Sequence, residues 1–273
     1  MSNVLVVNST SSETRVALVE DGLISEFYIE RKRERDVVGN IYKGKVLRVV
    51  PGIQASFVNE AQQKAGFLHV SDFYDFEEDL AAFVDEDAEL WPPPSRGQNK
   101  DRVKIENVVR EREEIMVQVA KEPIGTKGAR LTSHISIPGR FLVFMPTVSH
   151  IGISRRIGRD SERKRLRRIV EENRPAGTGF IVRTVSENIP EDMLVREIEI
   201  LTEQWKDILE RCNRANAPYL LYEEPDLLIR TARDLFTPSL DRLYVDDKKA
   251  HDRVLNYVKR YMPDYESAVT FYD

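Results

Sequence analysis

The sequence predicts a mixed α and β protein in which a small antiparallel barrel is inserted into a split α/β unit. Three observations carry this reading. Residues 40–73 alternate and turn as a compact strand meander. The first thirty residues hold three short strands, too few to close a core without partners from elsewhere in the chain. Strand and helix patterns able to complete that sheet return only after residue 226.

Taken in order, residues 3–8, 14–20 and 23–30 read as strands, the last two joined by an Asp21-Gly22 turn. Residues 31–36 (RKRERD) form a charged connector whose plainest reading is a solvated linker. The barrel strands are 42–50, 53–59 and 66–70, with a turn at Pro51-Gly52. Residues 75–100 carry acidic runs and three successive prolines, which exclude helix or central strand, so an inserted loop is expected. A helical turn over 103–111 and a strand over 114–120 follow, and residues 121–129 close the barrel.

Beyond Leu131 the pattern predicts a strand over 140–145, a turn over 152–156, and a helix over 162–173 with Ser161 as its N-cap. A strand over 179–184 precedes a long amphipathic helix opened by Pro190-Glu191 and running to Asn213, with Leu194, Ile198, Leu201, Trp205 and Ile208 on one face. Residues 219–222 are apolar. Helices over 227–235 and 248–261 and strands over 241–246 and 268–272 complete the split unit.

Composition narrows the function. With 41 basic and 46 acidic residues, net charge −5, no uniformly basic surface is available, so a polyanion must meet a local patch. Residues 155–168 supply one, with eight basic residues against two acidic, including Arg155 and Arg156; a solvated helix face is the alternative. Cys212 is the single cysteine, which excludes an intramolecular disulfide or multi-cysteine zinc site in this chain and fits a reducing cytoplasm. No apolar run reaches the length of a signal-peptide core or membrane span, so a soluble, cytoplasmic protein is expected. The four histidines show no metal-ligand spacing, and no Walker, HExxH or Gly-x-Ser-x-Gly motif occurs. Asp246 and Asp247 are carboxylates at a strand end, where caps and turns are the ordinary roles; no catalytic residue is assigned.

The candidate binding groups fall in two places. Phe57 and Phe67 sit on barrel strands, where a ring either packs in the core or is offered to an unstacked base, with Lys43, Lys45 and Arg48 near for phosphates. Lys127 lies between Gly125 and Gly128, either a flexible-loop lysine or one held close to a ligand. Arg183-Thr184 ends a strand; a guanidinium with paired donors beside a hydroxyl suits a terminal phosphate, and such strand ends also occur without one.

The stretches NIYKGKV (40–46), PGIQASFV (51–58), GFLHVSDF (66–73) and GTKGARLTSHISIPGRFLVFMP (125–146) resemble, in order, the ribonuclease E/G family of bacterial endoribonucleases, the second and third resembling its S1 type of OB-fold. The resemblance covers essentially the whole chain and the first part of that family. It implies a split ribonuclease H-like α/β unit over 1–37 and 227–273, an inserted S1 RNA-binding β-barrel over 38–127, and an α/β 5′-sensor domain over 128–226. It implies RNA contacts at Phe57, Phe67 and Lys127, and a pocket of Arg183, Thr184 and Val143 that reads a 5′-monophosphate on single-stranded RNA. The family's Mg²⁺-binding nuclease domain and its zinc link would lie beyond Asp273, with oligomerisation a property of the full-length protein. After Thr184 the chain has Val185-Ser186-Glu187-Asn188 where family members often carry a glycine-containing turn. A non-catalytic S1-type RNA-binding protein is the alternative, one with no need of a phosphate pocket.

Overall fold

A computed structural model describes residues 3–31, 36–73, 88–91, 103–237 and 240–272. In chain order its strands are β1 (Asn3–Ser9), β2 (Glu13–Glu20), β3 (Leu23–Arg31), β4 (Ile41–Val50), β5 (Ala55–Asn59), β6 (Gly66–His69), β7 (Ala88–Trp91), β8 (Glu114–Lys121), β9 (Arg130–Thr132), β10 (Ile137–Pro138), β11 (Leu142–Met145), β12 (Ile151–Ser154), β13 (Gly179–Val182), β14 (Tyr219–Tyr222), β15 (Arg242–Val245) and β16 (Val269–Phe271). The helices are α1 (Ile105–Val108), α2 (Asp160–Asn173), α3 (Glu191–Arg214), α4 (Leu227–Asp234) and α5 (Lys248–Tyr261). The chain divides into two compact units, residues 1–36 with 225–273, and residues 37–224.

In the first unit the two ends of the chain share a sheet of order β16-β15-β1-β2-β3. The N-terminal strands pair antiparallel, while β15 joins β1 and β16 joins β15 in parallel. Period-two alternation buries Leu5 and Val7 and leaves Val6 39% exposed, so one face packs on Phe236, Val254 and Val258 from the helical side. Asp247 caps α5 by accepting the Ala250 N–H at 2.8 Å. The late elements thus complete the N-terminal sheet as the sequence predicts. Of the charged connector, residues 32–35 lie outside the described residues.

The second unit holds a closed five-stranded, OB-like barrel, β4-β5-β6-β9-β8 and back to β4. Val46, Val58, Leu68, Val117, Val119 and Leu131 fill it. Its other sheet runs β10-β11-β13-β12-β7, with β12 and β13 parallel, and packs Leu142, Phe144, Phe180 and Val182 against Leu166, Ile169, Leu194 and Ile198 of α2 and α3. The fold class is therefore mixed α and β around an OB-like barrel.

Three expectations are corrected here. Within the segment read as an inserted loop, β7 pairs antiparallel with β12; prolines after Trp91 are compatible with the end of a strand at a sheet edge. The remainder of the acidic and proline-rich segment lies outside the described residues. The expected turn over 152–156 contracts to Arg155-Arg156, because Ile151 and Ile153 gain ladder partners on both sides and face the core. The helix after it begins at Asp160, with Arg159 at the N-cap and no side-chain cap, so Ser161 lies inside the first turn, where Asp160 and Glu162 interact favourably with the positive end of the helix dipole.

Candidate nucleic-acid interface

Alternation sends an aromatic row to the outside of the barrel. Val58 and Leu68 enter the core, so their neighbours Phe57 and Phe67 point outward, half-buried and outside every buried cluster among the described residues. The pairing registers set Arg48, Phe57, Phe67 and Arg130 side by side on β4, β5, β6 and β9. The two rings meet edge to face, 6.0 Å between centroids at 68°. His69 stacks on Phe67 at 6.4 Å and 21°; the sequence reading passed over it, although its spacing two residues after Phe67 on one strand was a usable signal. Arg130 is held at 2.7 Å by the buried Asp72.

The lysines divide. Lys127 is exposed on the loop beside the row, tied in by the Phe67 N–H donating to the Ala129 carbonyl at 2.7 Å. Gly128 is required there, since a Cβ would stand 1.9 Å from the Ala65 carbonyl oxygen. Lys45 is exposed on β4. Lys43, expected among the phosphate contacts, is corrected: its ammonium donates to the carbonyls of Cys212 (3.0 Å) and Ala215 (2.9 Å) at the end of α3 and pairs with Glu114 at 3.0 Å. Three acceptors match its three donors, making it a helix C-terminal cap.

The second cluster forms at the C-terminal ends of the parallel neighbours β12 and β13, the part of an open α/β sheet where ligands ordinarily bind. The Ser154 and Thr184 hydroxyls are 2.7 Å apart, joining the exposed Arg155-Arg156 turn to the segment that follows β13. Arg183 is half-buried; its Nη1 donates to the Gly139 carbonyl at 2.9 Å, and its backbone N–H donates to the Phe141 carbonyl at 2.9 Å. Val143 is 1% exposed within β11, in register with Ile181, so it supplies apolar packing two residues inward of Arg183. The turn after Thr184 is compact: Asn188 takes φ 60°, the left-handed conformation that glycine or asparagine adopts, and its N–H donates to Glu162 at 2.9 Å. The Arg165 guanidinium and that N–H together hold Glu162 below the usual carboxylate range.

The basic run of α2 proves less free than its count implied. Arg163 donates to the Ser154 carbonyl at 2.7 Å, Arg165 pairs with Glu162 at 2.7 Å, and Arg168 pairs with Glu172 and Glu191 at 2.8 and 3.1 Å. The exposed basic groups following β12 are Arg155, Arg156 and Arg159, with Lys164 on the helix.

Under this cluster lies Glu197 of α3, a residue the sequence reading also passed over. It sits three positions after Leu194 and four before Leu201, an acid on an apolar stripe, which was the available signal. Burial pushes its carboxyl up to about 7, against the opposing pull of three backbone amides and Arg183. A carboxyl raised in the folded state binds its proton more tightly there than in the unfolded chain. The contribution of Glu197 to stability is therefore fully present below about pH 4.5 and is lost as pH rises through about 7. Relative to Glu197→Gln, urea unfolding of the wild type should lose on the order of 3 kcal/mol between pH 5 and pH 8. A pH-independent difference between the two would contradict this.

The candidate carboxylates of the other unit are structural: Asp246 accepts from the Asn8 amide and, at 2.8 Å, the Ser9 N–H, while Asp247 caps α5. Among the described residues no group of three or more His, Cys, Asp or Glu stands where it could hold a metal ion. No helix among them is long and apolar enough to cross a membrane.

An OB-like barrel carrying surface rings and an α/β sheet whose strand ends gather arginines and hydroxyls define the class of this protein as mixed α and β around an OB-like barrel. The family model described as "Ribonuclease E/G family" matches residues 136–273. Ribonuclease G of Salmonella typhimurium (strain SL1344) is 42% identical over 272 residues, covering 100% of this chain and 53% of the relative. Ribonuclease G of Escherichia coli (strain K12) is 41% identical over 273 residues, again 53% of its length. Ribonuclease E of Nostoc sp. is 36% identical over 225 residues, 82% of this chain and 30% of that protein. The chain belongs to the ribonuclease E/G family. It spans about half the length of the ribonuclease G relatives it matches.

Proposed function

We propose that this chain is the RNA-binding and 5′-monophosphate-sensing portion of a ribonuclease E/G type endoribonuclease that processes and degrades single-stranded RNA in the cytoplasm. On this reading the β4-β5-β6-β9-β8 barrel, which draws β9 from beyond the expected 38–127 bounds, is an S1 domain, the sheet β10-β11-β13-β12-β7 with α2 and α3 is a 5′ sensor, and residues 1–36 with 225–273 are a ribonuclease H-like unit. Phe57 and Phe67 stack unpaired bases, while Lys45 and Lys127 meet the backbone. Arg183 and Thr184 take the terminal phosphate over the apolar floor that includes Val143, and Arg155 and Arg156 meet the adjoining backbone. The observation that carries the reading is the hydroxyl contact at 2.7 Å between Ser154 and Thr184, which gathers two arginine-bearing segments 30 residues apart at the C-terminal ends of two neighbouring parallel strands. Phosphodiester cleavage, with Mg²⁺, zinc and any oligomer, is assigned to the part of the relatives' length that this chain does not cover.

The test titrates the chain with one labelled single-stranded RNA and with the same strand annealed to its complement. The single strand should bind at least ten-fold tighter, because stacking needs unpaired bases, and it should remain intact in Mg²⁺. Equal or tighter binding of the duplex would contradict the barrel assignment. A Mg²⁺-dependent cut abolished by Asp246→Asn or Asp247→Asn would contradict the structural role of those carboxylates.

A further inference from the structure

Residues 139–142 form a turn whose amides converge on one carboxylate. The Gly139 N–H donates to the Leu142 carbonyl at 2.7 Å and closes the turn. The N–H groups of Arg140, Phe141 and Leu142 donate to the two Glu197 oxygens at 2.7, 2.8 and 2.8 Å. Consecutive amides aimed at one point make an anion nest, and here α3 fills it from within the protein. Gly139 has no room for a side chain, since a Cβ would come 2.8 Å from the Glu197 carboxyl carbon. The carbonyls of the same turn serve the segment after β13. Gly139 accepts from the Arg183 guanidinium at 2.9 Å, and Phe141 accepts from the Arg183 N–H at 2.9 Å and the Ser186 hydroxyl at 2.6 Å.

We propose that Glu197 is a positioning residue for the 5′-phosphate site: by holding the 139–142 turn it sets where the Arg183 guanidinium and the 184–186 turn stand. The inference rests on the reading of Arg183 given above. Glu197 is half-buried and spends both oxygens on the Arg140, Phe141 and Leu142 N–H groups, so the proposed effect reaches the ligand through the two carbonyl groups of that turn. A general structural role would weaken every RNA alike, whereas a positioning role acts on the 5′ end alone.

Glu197→Gln keeps the shape but replaces one acceptor oxygen with an NH₂ group, leaving at least one of the three amides without its partner. Wild type and variant are titrated at fixed salt with RNA 10-mers of one sequence bearing a 5′-monophosphate or a 5′-hydroxyl. The expected result is a monophosphate-to-hydroxyl affinity ratio reduced at least five-fold, with hydroxyl-ended RNA bound within two-fold of wild type. Glu197→Asp, which keeps the carboxylate one methylene shorter, should restore part of the ratio and serves as the reading if the glutamine variant melts below assay temperature. A wild-type ratio in the folded variant, or one common loss on both RNAs, overturns the assignment of Glu197. A wild type with no ratio at all overturns instead the reading of Arg183 on which it rests.

Discussion

Phe57→Ala and Phe67→Ala should each weaken single-stranded RNA binding by about 1–3 kcal/mol, roughly five-fold to a hundred-fold and more in Kd. Both rings stand on the outer face of the barrel, in register across β5 and β6, where a base can stack without displacing core atoms. Their removal should leave the unfolding transition nearly unchanged, in contrast to Val58→Ala or Leu68→Ala, which open cavities in the closed barrel. Because the rings touch each other, the double variant should lose less than the sum of the single losses. The losses should be equal for every 5′ end, since the proposed reading gives the terminus to Arg183 and Thr184 and not to the barrel. Fluorescence anisotropy against a single-stranded oligomer, with thermal melts as the control, reads all of this. Unchanged affinity in folded variants would assign the rings no part in binding.

Arg183→Ala should behave in the opposite way, lowering affinity for 5′-monophosphorylated RNA about ten-fold or more and sparing 5′-hydroxyl RNA. A hydrogen bond to a charged group contributes roughly 1.5–3 kcal/mol when its partner is present, which sets that size. Arg183→Lys keeps the charge and loses the planar fork, so it should recover only part of the preference. Salt must be held constant, because every phosphate contact adds a steep ionic-strength dependence that would swamp a single-site effect. An equal loss on all RNAs would make Arg183 an ordinary backbone contact.

How far the sequence carried the reading varies with the range of the interactions involved. The barrel strands and the N-terminal hairpins were legible because half-buried antiparallel strands alternate every second residue and turn at Asp-Gly or Pro-Gly. The helices over α3 and α5 were legible from their apolar stripes, α5 to the residue. The strand Ala88–Trp91 was not, because a four-residue edge strand has no period to display and its partner β12 lies some sixty residues further along the chain. Lys43 read as a phosphate contact because nothing local reveals acceptors 169 and 172 residues away. The charge count of α2 misled for a related reason: counting sums charges, whereas availability depends on which acids and carbonyls the fold places beside each guanidinium. Arg183 and Thr184 were legible as chemistry, while their joining to Ser154, Gly139 and Glu197 needed the parallel pairing of β12 with β13 and the docking of α3.

The most direct test of the account compares three RNAs identical but for the 5′ end, carrying monophosphate, hydroxyl or triphosphate, in equilibrium titrations of the wild-type chain at one salt concentration. A pocket sized to one phosphate pairs its donors with the monophosphate and excludes the bulkier triphosphate, so the account predicts the monophosphorylated strand bound about ten-fold or more tighter than either of the others. Three equal dissociation constants would contradict it.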